Sequence, residues 1–251
     1  MPISISRHKN SQIHNLISGN IPVIEIPNVL SKSECVLLCD KISKNHSTSS
    51  GPGLTTKIGT SLSSHIYDKA NYFSNAQKSN QFIQNLFSHT ISPIDKMHQI
   101  LVHLFQKKTS TATENFMKYS DCVIRIHQNG DSVHVHRDNC NFEMPEYVVS
   151  GYRNQLSAIL YLQSPQSGGE LKIYDKQWCK DDESQRNPDF GYSSDVVDGV
   201  KHLTIRPISG NLVLLNPSYY HKIGSVCGSK SRISIGFFFA ESSENNLYCW
   251  S

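Results

Sequence analysis

The chain has 251 residues, with 24 Lys or Arg against 21 Asp or Glu, so its formal net charge is only +3. These charges are scattered rather than gathered into a basic stripe, which argues against nucleic acid as a partner. We expect no signal peptide in the first residues, no apolar run is long enough to span a bilayer, and the seven cysteines lack metal-finger spacing. We therefore expect a cytoplasmic protein with free thiols that binds neither nucleic acid nor a membrane.

The N-terminal part predicts a strand, a helix and a loop. Residues 21–26 are typical of a strand, and Ser31 and Glu34 have the spacing of a capping box, which predicts a helix from about Ser31. The apolar stripe of this helix is expected to consist of Val36, Leu37 and Ile42. Residues 45–64, rich in Ser, Thr and Gly, predict a surface loop that could border a site.

Helices come next, and then many short strands. Apolar residues recur at helical spacing over residues 80–106, where Pro93 is well placed to open a second helix. After Ser120 the period changes to two, and seven runs predict strands: residues 121–128, 131–138, 155–163, 168–175, 201–207, 211–217 and 232–240. The predicted fold class is α+β, mainly β, and such regular short strands favour a barrel, a sandwich or a jelly roll.

Two histidines and an aspartate stand at every second residue of GDSVHVHRD: His134, His136 and Asp138. Residues i and i+2 of a strand point to one face, so His136 and Asp138 share one space. Imidazole and carboxylate suit Fe(II), and a second histidine from a distant strand would complete a facial triad with open coordination positions. His221, expected at the end of an apolar strand, is the candidate, with a structural strand-capping histidine as the alternative. His134 and His136 could instead form a metal pair of the cupin type.

An arginine motif follows the candidate histidine. Arg232 and Ser234 lie on one face of the next predicted strand, where a guanidinium could bind a carboxylate through two hydrogen bonds, with a hydroxyl beside it. With the motifs HRD, YLQSPQSGGEL, PISGNLVLLNPSYYH and RIS in this order, the chain resembles the Fe(II)/2-oxoglutarate-dependent dioxygenases, of the prolyl-hydroxylase-like kind.

The resemblance implies a double-stranded β-helix, which is a jelly-roll core, with N-terminal accessory helices. We expect a single domain over residues 1–251, in which residues 1–119 supply a strand and supporting helices. The core would span residues 120–242, with an insertion at about 175–200. The implied cofactors are Fe(II) and the cosubstrates 2-oxoglutarate and O2.

The resemblance also implies roles for individual residues. It makes His136, Asp138 and His221 the iron ligands. Arg232, helped by Ser234, would bind the distal carboxylate of 2-oxoglutarate. Tyr161 matches a position that hydrogen-bonds the same carboxylate in several relatives, and a core tyrosine is its alternative role. His127 replaces a tyrosine that relatives carry ahead of the iron motif, so it is a candidate for the cosubstrate pocket.

The expected reaction is hydroxylation of an unactivated C–H bond of a small molecule, a free amino acid or another natural product, with release of succinate and CO2. Halogenating relatives replace the carboxylate ligand by a small residue, and Asp138 argues against halogenation, while desaturation or cyclisation stays open. The candidate substrate contacts are Arg125, His134, Trp178 and Tyr192, together with Arg186, Asp189 and Phe190.

Two other functions are open from the sequence. A prolyl-type protein or peptide hydroxylase is one, although such enzymes often carry lysine where this chain has Arg232. A jelly-roll binding module without catalysis is the other, and the intact set of three ligands with Arg232 argues against it. The substrate, the carbon attacked and the oligomeric state cannot be read from these residues.

Overall fold

A computed structural model describes residues 7–45, 55–242 and 246–251. Its α-helices are α1 Arg7–Ile17, α2 Lys32–Asn45, α3 Lys69–Leu86, α4 Pro93–Phe105 and α5 Cys140–Glu143. Its first strands are β1 Val23–Ile26, β2 Thr56–Ile58, β3 Thr109–Thr111, β4 Thr113–Glu114, β5 Met117–Lys118, β6 Val123–His127, β7 Val133–His136 and β8 Arg153–Gln163. The remaining strands are β9 Ser167–Gly168, β10 Leu171–Gln177, β11 His202–Ile205, β12 Leu212–Leu215, β13 Tyr219–Ile223, β14 Val226–Cys227, β15 Arg232–Glu241 and β16 Leu247–Trp250.

Two antiparallel sheets build the core. The large sheet runs β1-β12-β8-β15-β16-β3, and β6 extends it from β15 and carries β2 on its other side. The small sheet has the order β11-β10-β13-β7. Strands β1, β2 and β3 from the N-terminal part join the large sheet, and β3 pairs with β16 in parallel. The arrangement is the jelly-roll fold that the strand pattern predicts.

Strand β15 shows how the sequence positions the site. Every second residue of β15 from Ile233 to Phe239 is apolar and faces the helices. Three of these residues pack in one core cluster with buried residues of helices α1 to α4: Ile233, Ile235 and Phe239. The intervening residues Arg232 and Ser234 line the cavity between the two sheets. The period of two therefore places the helices on one face of the large sheet and the site on the other.

The predicted starts of two helices, α2 and α4, are confirmed. The Ser31 backbone N–H donates to Glu34 at 2.6 Å, and the Glu34 N–H donates to the Ser31 hydroxyl at 3.2 Å, as a capping box requires. Pro93 opens α4, and the Ser92 side chain caps it. Helix α3 begins at Lys69, earlier than residue 80, with Asp68 as its N-cap.

The predicted apolar stripe of α2 is wrong at two of its three positions. Val36 is 70% exposed and Leu37 is 48% exposed. The buried side chains are Cys35, Leu38 and Ile42, at i, i+3 and i+7. Apolar residues lie on more than one face of α2, so the sequence alone does not say which face is buried. Packing against the sheet buries the face with Cys35, Leu38 and Ile42.

The predicted loop at residues 45–64 is only partly a loop. Residues 46–54 of that prediction lie outside the described residues. Thr56–Ile58 form β2, which pairs with β6 and brings Lys57 beside Arg125. The predicted position of His221 also needs correction, because the apolar strand β12 ends at Leu215 and His221 lies within the separate strand β13. The division into one domain stays a prediction.

All seven cysteines are free thiols. No helix in the described ranges combines the length and the apolar composition that crossing a membrane requires.

Candidate active site

Three side chains of types that can bind a metal converge on the small sheet. His136 on β7 and His221 on β13 are directly opposite in the antiparallel register. Asp138 follows β7, and its backbone N–H donates to the carbonyl of Pro217 at 2.9 Å, which holds it beside the turn into β13. Ligand atoms of the three side chains lie within 4.8 Å of one another. The spacing of His136 and Asp138 in the sequence predicted that these two lie together, and the pairing of β7 with β13 brings His221 to them.

Backbone carbonyls orient both imidazoles. His136 Nδ1 lies 2.8 Å from the carbonyl oxygen of His134, and His221 Nδ1 lies 2.8 Å from that of Tyr219. A carbonyl oxygen only accepts, so each Nδ1 carries the hydrogen and each Nε2 keeps a lone pair. His221 Nε2 points toward Asp138 Oδ2 at 3.4 Å. Two Nε2 atoms and a carboxylate on one face fit a divalent iron.

The surroundings favour the ligand forms of these groups. Burial, reinforced by the neighbouring His221, lowers the pKa of His136 to about 4, so its imidazole is neutral near pH 7. Burial alone would raise the pKa of Asp138, but the adjacent rings of His221 and His136 and the charge of Arg125 outweigh it and hold that pKa at about 2. A neutral imidazole and an ionised carboxylate are what metal binding needs.

Arg232 lies on the large sheet, facing the same cavity. Its side chain is only 1% exposed, and Nη1 approaches His127 Nδ1 and the Ser234 hydroxyl, each at 3.3 Å. Its guanidinium carbon lies 5.0 Å from the ring centroid of Tyr161. Gly169, with φ of +69°, gives it room, because a Cβ there would lie 3.1 Å from Arg232 Cδ.

Three buried polar atoms around Arg232 have no hydrogen-bond partner among the described residues: His127 Nε2, Tyr161 Oη and Arg232 Nε. No described carboxylate forms an ion pair with Arg232 either. Buried polar groups are normally paired, and an unpaired buried guanidinium is costly. A bound carboxylate would satisfy the arginine, so the residues present fit one end of 2-oxoglutarate, with the triad near the other. Tyr161 lies against Arg232 but is outside the cavity lining.

The buried imidazole of His127 should make the free energy of unfolding depend on pH in the acid range. Burial, with Arg232 nearby, lowers the pKa of His127 from 6.5 to about 3. The unfolded chain binds a proton below pH 6.5 that the folded protein takes up only near pH 3. Stability is therefore lost as the pH falls through this window, by up to about 1.4 kcal/mol per pH unit from this one group.

We expect His127→Gln to flatten this part of the stability curve. The measurement is urea unfolding at several pH values between 3 and 7 for the wild type and the variant. Because other buried histidines titrate equally in both proteins, the difference between the two curves isolates His127. Parallel curves would show that His127 is not the buried neutral group described.

The cavity between the sheets has a volume of about 520 Å³. Lined by both the triad and Arg232, it has the size of a small-molecule site. Of the predicted substrate contacts, Arg125, His134, Arg186, Asp189, Phe190 and Tyr192 line it. Trp178 lies outside the cavity lining. His134 is exposed at the cavity rim, and its carbonyl orients His136.

The insertion closes one side of the cavity through a cluster of charges around Glu183. Its carboxylate accepts hydrogen bonds from the side chains of Trp178, Tyr192, Arg137 and Arg186. Arg137 is fully buried between the two ligands of the HRD motif, and its guanidinium carbon lies 4.3 Å from the Trp178 ring centroid. The Tyr192 N–H donates to the carbonyl of Val135 at 2.8 Å, so the insertion is fastened to the ligand strand β7.

Gly191 allows this docking. Its φ is +74°, and a Cβ at this position would lie 2.4 Å from the carbonyl oxygen of Val135. Phe190, next to it, lies with its ring centroid 5.0 Å from that of His136. The insertion therefore brings an apolar ring beside a candidate metal ligand.

Sequence reasoning missed several residues of this site. Arg137 is the middle residue of the HRD motif. Because neighbouring residues of an extended segment point to opposite faces, its side chain was predictable as pointing away from His136 and Asp138. Glu143 and Glu183 balance Arg137 and Arg186, which only the folded insertion shows. Lys57 also lines the cavity, but its surroundings in the sequence resemble a loop and give no signal.

The chain matches a known family and several relatives. A family model described as "Carrier-protein-independent halogenase WelO5" matches residues 1–251. The chain is 25% identical over 173 residues to the "Leucinostatins biosynthesis cluster protein S" of Purpureocillium lilacinum, covering 66% of this chain and 70% of that protein. It is 24% identical over 131 residues to the L-gamma-glutamyl-L-propargylglycine hydroxylase of Streptantibioticus cattleyicolor, covering 50% of this chain and 47%, about half, of that hydroxylase.

A solved structure shares the fold. An N-substituted L-amino acid dioxygenase from Burkholderia ambifaria AMMD, in complex with alpha-KG, superposes with a TM-score of 0.65 at 13% identity, covering 96% of this chain and 90% of that one. The likeness at this identity shows the fold alone.

Proposed function

The chain belongs to the family of the carrier-protein-independent halogenase WelO5, and from that premise we propose that it is a hydroxylase of small molecules within the Fe(II)/2-oxoglutarate oxygenases. The enzyme class, the jelly-roll fold and the cofactors Fe(II) and 2-oxoglutarate, with O2, follow from the family and its neighbours. The choice of hydroxylation over halogenation is the step that this chain's own residues support.

Asp138 is the observation that carries the choice. Its carboxylate occupies the position where a halogenase needs room and charge balance for chloride. Its pKa of about 2 keeps it ionised, and it lies with the two histidines in one ligand group. A carboxylate there excludes a second anion both by occupying the position and by its charge. Desaturation and cyclisation use the same ligands and stay open.

The residues of the chain have separable tasks in this reaction. Bound Fe(II), with 2-oxoglutarate and O2, supplies the oxidising power for C–H hydroxylation, with succinate and CO2 as the other products. His136, Asp138 and His221 would hold the iron on one face only. Arg232 and Ser234 would fix the distal carboxylate of 2-oxoglutarate. The insertion, fastened through Glu183 and Tyr192, would exclude water and orient the substrate.

Relatives support a small substrate derived from an amino acid. One curated relative is a hydroxylase of L-gamma-glutamyl-L-propargylglycine, and one structural neighbour is an N-substituted L-amino acid dioxygenase. The cavity volume of about 520 Å³ suits such a molecule. The presence of the three ligand side chains with buried Arg232 argues against a module that has lost its chemistry.

The test of this proposal is the identity of the product. Screening small molecules for substrate-dependent succinate release finds a substrate, and mass spectrometry then analyses the product with chloride present and absent. We expect a hydroxylated product under both conditions. Asp138→Gly should lose most activity and give at best traces of chlorinated product, because it removes a ligand without adding the contacts that direct chlorine to the substrate.

Two results would contradict the proposal. A chlorinated major product from the wild type would make the enzyme a halogenase despite Asp138. Full hydroxylation by Asp138→Gly would show that the carboxylate is not an essential ligand. Asp175→Asn, on an exposed position of β10 in the same sheet and outside the cavity lining, is the matched control for loss of a carboxylate.

A further inference from the structure

Two cations stand directly opposite each other on the cavity wall of the large sheet. Lys57 on β2 and Arg125 on β6 are register partners, so their side chains leave the sheet on the same face. Both line the cavity that contains the metal ligands. Like charges directly opposite destabilise a sheet, so this pair costs stability in the ligand-free protein.

Neither cation has a partner within the part of the chain that the structure describes. No hydrogen bond or ion pair joins Lys57 or Arg125 to any described side chain. Arg125 is half-buried, and its Nη1 lies 3.5 Å from where a Cβ on Gly236 would stand, so the guanidinium lies against β15. Desolvation and mutual repulsion lower the pKa of Lys57, and desolvation, with Arg232 opposing the Asp138 charge, lowers the pKa of Arg125.

The other charges of the cavity are already matched. Arg137 and Arg186 form ion pairs with Glu143 of α5 and with Glu183 of the insertion. In the loaded site, the charges of Fe(II) and Arg232 are cancelled by Asp138 and the two carboxylates of 2-oxoglutarate.

The remaining groups do not compensate the pair. His127 is neutral at pH 7, since burial lowers its pKa to about 3. Asp189, an acidic residue elsewhere in the lining, forms no ion pair with either cation in the described structure. Two positive charges therefore remain after iron and cosubstrate are bound.

We propose that Lys57 and Arg125 bind a free carboxylate of the substrate. This rests on the proposed function and adds the substrate class: a small carboxylic acid rather than a neutral ester, amide or alkaloid. Arg125 provides the planar fork that grips two carboxylate oxygens, and Lys57 provides a second charge nearer the opening. The carboxylate would anchor on the large sheet and leave the rest of the molecule to extend past the triad, between β6 and the insertion.

The test uses protein loaded with Mn(II) and 2-oxoglutarate, so that binding is measured without turnover. The probes are N-acetyl-L-amino acids, each paired with its carboxamide, and the readout is the dissociation constant from calorimetry. We expect acids in the panel to bind at least about tenfold more tightly than their carboxamides, as a charge-assisted contact predicts. Lys57→Met and Arg125→Gln should remove this preference, and Lys201→Met, an exposed lysine on another strand edge, should keep it.

Folding is controlled by the melting temperatures without ligand. We expect Lys57→Met to melt no lower than the wild type, because the substitution relieves repulsion. Equal binding of acids and carboxamides by the wild type overturns the proposal, and so does an unchanged preference in Lys57→Met. If Lys57→Met and Arg125→Gln instead weaken 2-oxoglutarate binding as strongly as they weaken the acids, the pair belongs to the cosubstrate and the proposal fails.

Failure of the proposed function has a different signature. It would either leave the wild-type protein, under anaerobic conditions with Fe(II) and 2-oxoglutarate, without their visible charge-transfer band, or give a chlorinated major product on turnover. Neither measurement depends on the panel, on Lys57 or on Arg125. A wild type that shows the band but no acid preference therefore refutes only the carboxylate anchor.

Discussion

Replacing His136 or His221 by alanine is expected to abolish turnover and to weaken iron binding by more than about a hundredfold. Loss of a supporting group around a metal already costs 10–100-fold in affinity, so the loss of a ligand costs at least as much. Both imidazoles are buried and present Nε2 toward the same point as Asp138. Neither has a neighbour that could replace it within the described site.

The measurement is anaerobic titration with Fe(II) and 2-oxoglutarate, followed by the weak visible charge-transfer band. Wild-type protein should bind one iron and show the band, and both variants should lack it. The matched control is His202→Ala, an exposed histidine on β11 of the same sheet. Wild-type iron affinity and a retained band in both His136→Ala and His221→Ala would show that the ligand assignment is wrong.

Arg232→Ala is expected to raise the requirement for 2-oxoglutarate far more than it weakens iron binding. Removing one partner of a buried, hydrogen-bonded charge pair costs roughly 2–5 kcal/mol, which corresponds to about 30-fold to several thousandfold in affinity. The guanidinium is buried beside His127 and Ser234, so no water can replace it at full strength.

The two affinities are measured separately by titrating each ligand at saturation of the other. Arg232→Lys keeps the positive charge but loses the two parallel N–H donors of the guanidinium. It leaves less empty volume than Arg232→Ala, so it separates loss of carboxylate binding from destabilisation by a cavity. Arg206→Ala, on the exposed surface, controls for loss of an arginine. Unchanged 2-oxoglutarate affinity in Arg232→Ala would transfer the carboxylate anchor to another residue, with Arg125 the next candidate.

Local spacing was enough to predict the short-range features of this chain. The period of two predicted the seven main strands, and the same period placed His136 and Asp138 on one face. Ser31 and Glu34 predicted the start of α2, which their reciprocal hydrogen bonds confirm. Each of these features spans a few residues, where the covalent backbone fixes spacing and direction without help from the rest of the chain.

Contacts between residues far apart in the chain became visible only in the folded protein. The pairing of β13 with β7 places His221 opposite His136, and that of β2 with β6 places Lys57 opposite Arg125. The exposure of Val36 was equally out of reach, because it depends on which face of α2 docks on the sheet. Strand register and helix docking are set by contacts between residues far apart in the chain, and these contacts cannot be predicted from local residue spacing.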